Sequence, residues 1–228
     1  DQLLNGPKDI YIDWDRIGLT ERWTATTGIQ YFKIVPEIRE FYPDPSIFDA
    51  TKDSVKINFR VDETAHYLTM TVAGRSLFEN QYYVPGRYEV YWDGRGADGK
   101  VVLPGGYLID IYCGSQIIAT ANVTVKGTIK SGTLATDEHW TEVGEPYVLI
   151  GDVTVNQRLT IDPGVKIIPA GNYVLKTIAS TFGNKIFAPG TALNKIMFTP
   201  HRKFYPNIDP VPKDSWKSIK FCGIQIMK

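Results

Sequence analysis

The sequence predicts an all-β chain, and three observations carry that reading. Tyr, Phe, Trp, Gly and β-branched residues are frequent along the whole length, a composition that suits pleated, half-buried surfaces better than disorder. Between residues 55 and 125, apolar and polar residues alternate in runs punctuated by Asp-Gly and Gly-Gly turns. Beyond residue 150, short β-branched runs return about every twenty residues, the period of a β-solenoid rung.

The most informative stretch runs from Tyr88 to Ile111. Tyr88, Val90 and Trp92 form one apolar face, and Tyr107, Ile109 and Ile111 form another, as expected of two half-buried strands. Asp93-Gly94 and Asp98-Gly99 between them accept positive φ and allow the chain to reverse. Trp92, Gly94, Gly99 and Gly106 are therefore read as residues that fold a spacer module. Near the N-terminus the layout recurs: Pro7 to Asp15, with Trp14, matches Pro85 to Asp93 at a constant offset of 78 positions, and Gly18 and Gly28 fall on Gly96 and Gly106. Read as an internal repeat, residues 1–35 are the last strands of a preceding module of the same kind; the alternative is that they pack as extra strands on the module that follows.

The rest follows in order. Pro36 to Ser46, with three prolines, reads as an extended linker. Lys56 to Val61 and Leu68 to Val72 alternate as strands across a turn at Asp62-Glu63-Thr64, and Tyr107 to Tyr112 and Ile117 to Val125 complete the module. Lys126 to Thr133 reads as a short polar connector. Strands are then expected at Val153 to Val155, Leu159 to Ile161, Val165 to Ile168, Tyr173 to Leu175, Lys185 to Phe187, Lys195 to Phe198, Trp216 to Phe221 and Ile224 to Ile226.

Two resemblances sharpen this. The Trp92-Asp93-Gly94, Gly99 and Pro104-Gly105-Gly106-Tyr107 pattern resembles the Ig-like module of the flagellar hook-capping protein, and Phe48 to Phe59 resembles its first strand. That module recurs in secreted, multidomain bacterial proteins. Gly132-Thr133, Trp140-Thr141, Pro146 to Val155, Leu159 to Ile167, Gly190 to Pro200 and Asp214 to Phe221 are similar to the opening of a right-handed parallel β-helix of the pectin-lyase-like kind. Together they imply an all-β chain of Ig-like β-sandwiches followed by the start of a right-handed parallel β-helix. Its parts would be 1–35, the C-terminal strands of a preceding Ig-like module; 36–126, the linker and a complete sandwich; and 127–228, the first, incomplete rungs of the helix.

Composition limits the function. Acidic and basic residues number 25 each, so the basic excess of a nucleic-acid binder is absent. No apolar run reaches the length of a transmembrane segment. The N-terminus reads as a mature or excised end, and Cys113 and Cys222 as half-buried thiols in different modules. The β-helix resemblance raises an enzyme reading, but no spacing sets a carboxylate pair and a base on one strand face, so no catalytic residue is assigned. His66, His139 and His201 lack metal-ligand spacing, Asp93 to Gly99 lacks the acidic density of a calcium loop, and neither metal nor cofactor is expected. The sequon Asn122-Val123-Thr124 falls within an expected strand.

One loop stands out, Pro200 to Lys213. Arg202, Lys203, Phe204 and Tyr205 in it are candidates to contact a sugar or a neighbouring subunit; a proline-stiffened flap over the stack is the alternative. The expected function is a non-catalytic structural segment of an extracellular or cell-surface protein: a stalk, envelope layer, adhesin or filament subunit. Its expected partners are neighbouring domains, other copies of itself through open strand edges, and glycans. The alternative is the N-terminal part of a β-helical polysaccharide-acting enzyme or carbohydrate-binding protein.

Overall fold

A computed structural model describes residues 19–24, 28–33, 36–62, 64–178, 185–198 and 218–220. Among them the chain is all-β; the single helical feature is a 3-10 turn at Glu142–Gly144. Leu19–Thr24 (β1) and Gly28–Lys33 (β2) pair antiparallel as a sheet of their own, Thr24 opposite Gly28. In the 78-residue repeat, β2 matches a strand, but β1 matches residues 97–102, which form a loop held by a bridge between Arg95 and Val101. Trp14 lies outside the described residues.

Eight strands follow: Glu37–Asp44 (β3), Ile47–Phe48 (β4), Val55–Asp62 (β5), His66–Val72 (β6), Arg75–Tyr83 (β7), Gly86–Trp92 (β8), Gly105–Cys113 (β9) and Gln116–Val125 (β10). They make a three-stranded antiparallel sheet, β3-β5-β8, and a five-stranded sheet, β4-β10-β9-β6-β7, in which only the short β4–β10 pair is parallel. Period-two alternation sends Val55, Ile57, Phe59 and Val61 of one sheet against Leu68, Met70, Val72, Ile109, Ile111, Val123 and Val125 of the other, and all are buried in one core. The hairpin between β6 and β7 turns on Ala73 and Gly74, both at positive φ, the geometry that matches strand twist in a two-residue loop.

The expected linker is a strand. β3 pairs with β5, Pro43 opposite Ile57, and is the edge of its sheet. An edge strand tolerates proline because one side of its backbone needs no partner. The register shifts between Arg39 and Tyr42, with Glu40 at φ 49, so the strand bulges there.

The expected connector is a strand too. Thr128–Leu134 (β11) is the first of nine parallel strands, followed by Glu138–Trp140 (β12), Tyr147–Val155 (β13), Arg158–Ile161 (β14), Lys166–Pro169 (β15), Val174–Thr177 (β16), Lys185–Phe187 (β17), Met197–Phe198 (β18) and Ser218–Lys220 (β19). Every pairing among these nine is parallel. Thr128 lies beside Tyr147, and Tyr147 beside Ile167, steps of about twenty residues. β12, β14 and β17 form a second parallel sheet. Leu134, Trp140, Tyr147, Leu149, Val153, Val155, Leu159, Ile161, Val165, Ile167 and Leu175 close a second core between the two sheets.

Candidate functional site

The two cores meet at β13 and β15. β13 and β15 are buried on both faces at this point. Tyr147, Leu149 and Ile167 enter the second core, while Val148 and Ile168 between them enter the first, each 1% exposed or less. The apolar runs Tyr147-Val148-Leu149 and Ile167-Ile168 are the sequence trace of this double burial, because a strand covered on both sides loses its alternation.

Polar groups clamp the same place. Asp49 follows β4, and its Oδ1 accepts the Thr51 N–H at 3.0 Å and the Thr51 hydroxyl at 2.6 Å. Its Oδ2 lies 3.2 Å from Lys52 Nζ, which also reaches Glu145 Oε1 at 3.3 Å across the junction. The other Glu145 oxygen accepts the Lys166 backbone N–H at 3.3 Å, the residue that opens β15. Burial opposes ionisation of Asp49, but the Thr51 hydroxyl, the Thr51 N–H and Lys52 outweigh it and hold the carboxyl below its usual range. Lys52 is pushed up, first by its hydrogen bond with Lys166 and then by Asp49; Lys166 is pushed down, by burial and then by Lys52. The Lys52 ammonium thus bridges the Asp49 and Glu145 carboxylates and ties the strands across the junction.

Gly127 makes the crossing between the cores. It sits at φ 136, and a Cβ there would stand 2.8 Å from the Pro146 carbonyl oxygen and 2.7 Å from Pro104 Cγ. The next N–H, of Thr128, donates to that same carbonyl at 2.9 Å.

Trp92 and its neighbours lie on the first core. Trp92 is fully buried, its Nε1–H donates to the Arg95 carbonyl at 2.8 Å, and its ring meets Phe48 and Tyr107 edge-on at 5.6 and 5.7 Å. A Cβ at Gly94, which has φ 74, would collide with Ala50 Cβ. Gly99 has φ 73 with open space around it, and Gly106 has neither constraint; its neighbour Gly105, at φ 153, carries the unusual backbone. In the turn itself, the Asp93 carboxylate accepts from Arg75 at 2.8 Å and lies 3.3 Å from Arg95 Nε, and Asp98 accepts the Lys100 N–H at 3.0 Å. Both carboxylates close the turn.

The candidate loop residues Arg202, Lys203, Phe204 and Tyr205 lie outside the described residues, as do His201 and Cys222. Cys113 is buried in the first core. His66 is buried and His139 is exposed, 2.6 Å from Asp162, so the structure does not bring these two histidines into one site. The junction residues Asp49, Lys52, Glu145 and Lys166 escaped the sequence reading; their only trace was the unalternating apolar runs beside them.

No family model matches the chain, and no curated protein matches it. Among solved structures it is similar to the alkylpurine DNA glycosylase AlkC of Pseudomonas fluorescens, bound to DNA containing an abasic site analogue, at 8% identity and a TM-score of 0.32. That match covers 42% of this chain and 31% of the other. A likeness of this degree carries no argument about fold or activity.

Proposed function

We propose that this chain is a non-catalytic structural segment of an extracellular or cell-surface protein, acting as a stalk, envelope layer, adhesin or filament subunit. In this reading residues 36–126 are an Ig-like sandwich, residues 127–228 begin a right-handed parallel β-helix, and residues 1–35 are the tail of a preceding Ig-like module. The observation that supports it is the junction: β13 and β15 serve both cores at once, so force or orientation passes between the two parts through packed side chains rather than a flexible linker. Ion pairs at Lys52 and the crossing at Gly127 stiffen the same place.

The test is rigidity together with inertness. In a Cys222→Ser background, spin labels at Tyr91→Cys and Phe187→Cys, both exposed positions on the two parts, are expected to give one narrow distance distribution. A broad distribution would mean a hinge and would remove the support. Polysaccharide cleavage by the longer protein that disappears on substitution within residues 1–228 would overturn the non-catalytic reading.

A second reading, carbohydrate binding, draws on the outer face of the β3-β5-β8 sheet. Tyr42 and Tyr91 stand exposed on its two edge strands, and between them the Asn58 Nδ2 is buried without a hydrogen-bond partner among the described residues. Exposed aromatic rings on one sheet face suit a sugar chain laid across the strands. Tyr42→Ala and Tyr91→Ala are expected to abolish retention on a glycan array; arrays blank for the parent chain would sink this reading.

A further inference from the structure

We propose that the first rung of the parallel stack is a built end cap, which prevents its open strand edge from accepting a second copy of this chain. The inference rests on the stacked strands themselves and not on the cellular role. Among the described residues, β11 pairs only with β13 and β12 only with β14, so each has one edge with no strand beside it. Such an edge is a template for edge-to-edge association.

The inward positions of the second rung are Tyr147, Leu149, Val153 and Val155 on β13 and Leu159 and Ile161 on β14, all in the second core. Their neighbours in the first rung are Thr128, Lys130, Gly132, Leu134, Glu138 and Trp140. Four of the six apolar positions are thus succeeded by a hydroxyl, a cation, a glycine and a carboxylate, while Leu134 and Trp140 stay apolar and are themselves buried. These are not loose surface residues. Lys130 Nζ lies 2.6 Å from Glu138 Oε2, with the two side chains only 21% and 24% exposed. The Trp140 Nε1–H donates to the same oxygen at 2.7 Å, and the Lys130 ammonium sits 5.9 Å from the centre of the Trp140 ring. Trp140 in turn stacks on Tyr147, ring centres 4.7 Å apart and ring planes nearly parallel at 9°. Around the rim, the Thr128 hydroxyl donates to the Gly144 carbonyl at 2.7 Å, and the Tyr147 hydroxyl accepts the Thr141 N–H at 2.8 Å.

The end of the second core is therefore layered: aliphatic rung, aromatic pair, ion pair. A copy that docked a strand over β11 and β12 would desolvate the Lys130–Glu138 pair and gain little apolar surface on the second core, where Leu134 and Trp140 are already 6% and 1% exposed. Inward-pointing charge of this kind is a recognised means of blunting an exposed edge, and terminal rungs of stacked repeats need a polar outer face. Edge-to-edge assembly of this chain, where it occurs, proceeds through other strands.

The test uses the full chain with Cys222→Ser and a nitroxide on Thr133→Cys, an exposed position on β11. The parent chain is expected to show no intermolecular dipolar broadening at high concentration. The Lys130→Leu/Glu138→Leu variant, which gives the first rung an apolar interior, is expected to gain that broadening and to sediment as a dimer or larger. Broadening in the parent, or a folded double variant that stays like the parent, overturns the proposal. Should the double variant not fold, charge reversal decides. Lys130→Glu alone sets two carboxylates over Trp140 and is expected to speed amide exchange in β11 and β12 by about tenfold, the order of one lost charge-assisted hydrogen bond. The Lys130→Glu/Glu138→Lys swap is expected to restore the parent rate. Equal exchange in the single reversal and the swap overturns the cap.

Discussion

Three glycines of one turn region differ in what holds them. Gly94 is fixed twice, by a left-handed backbone and by Ala50 pressed against the place of its missing Cβ. Gly94→Ala is expected to destabilise the chain by about 2–4 kcal/mol, combining backbone strain with overpacking. Gly99→Ala meets only the backbone term and should cost about 1–2 kcal/mol. Gly106→Ala meets neither and should lie within about 0.5 kcal/mol of the parent. Urea titration of the three variants checks the order, and an equal loss at all three would refute the packing account. His66 supplies a second residue-scale prediction. Burial holds its imidazole below the ordinary value of 6.5, so the unfolded chain takes up the proton first. Stability is then expected to fall as pH falls from about 7 through the unfolded value, and to stop falling from this source below the folded value. His66→Gln should flatten the stability profile between about pH 5 and 7, measured by denaturant midpoint. An unchanged slope would mean that other groups carry the dependence.

At the scale of the element, β13 and β15 are the strands that differ most from their expected surroundings. The period of the sequence places them in a stack, yet each also sends one side chain, Val148 or Ile168, into the antiparallel core. Ile168→Ala, at 1% exposure, should therefore cost about 2–5 kcal/mol, as for any large-to-small change in a well-packed core. Its loss should register in the antiparallel strands as well as in β15. Amide exchange in β5 and β6 is the readout; protection that drops only in the parallel strands would show that the cores are independent. β3 and β11 teach a related lesson. Both read as connectors because proline or polar residues break their alternation, and both are strands because an edge position forgives these residues. Edge strands are the hardest elements to read, since half of their backbone and one of their neighbours are missing.

For the whole molecule, the junction joins two cores of different architecture without a spacer. Gly127 is the narrowest point of that joint. Gly127→Ala forces a side chain toward the Pro146 carbonyl and Pro104 while the backbone stays at φ 136. The expected outcome is a loss of cooperativity between the parts: one urea transition in the parent, two in the variant, followed by fluorescence of Trp92 and Trp140 in the first and second cores. Coincident transitions in the variant would show that the joint does not depend on this residue.

The sequence by itself determined the all-β class, the position of most inner strands, the burial of Trp92 and the repeating step of the parallel part. Each of these follows from local pattern: alternation, β-branching, and turn residues that only a few conformations accept. The tertiary structure alone decided that Glu37–Asp44 and Thr128–Leu134 are strands, that Val148 and Ile168 turn away from their own core, and that Lys52, Asp49, Glu145 and Lys166 meet. It also decided that Lys130 and Glu138 lie over Trp140. Those outcomes depend on what lies across the strand from each residue. A one-dimensional pattern records which face a side chain takes, but not which neighbour covers that face.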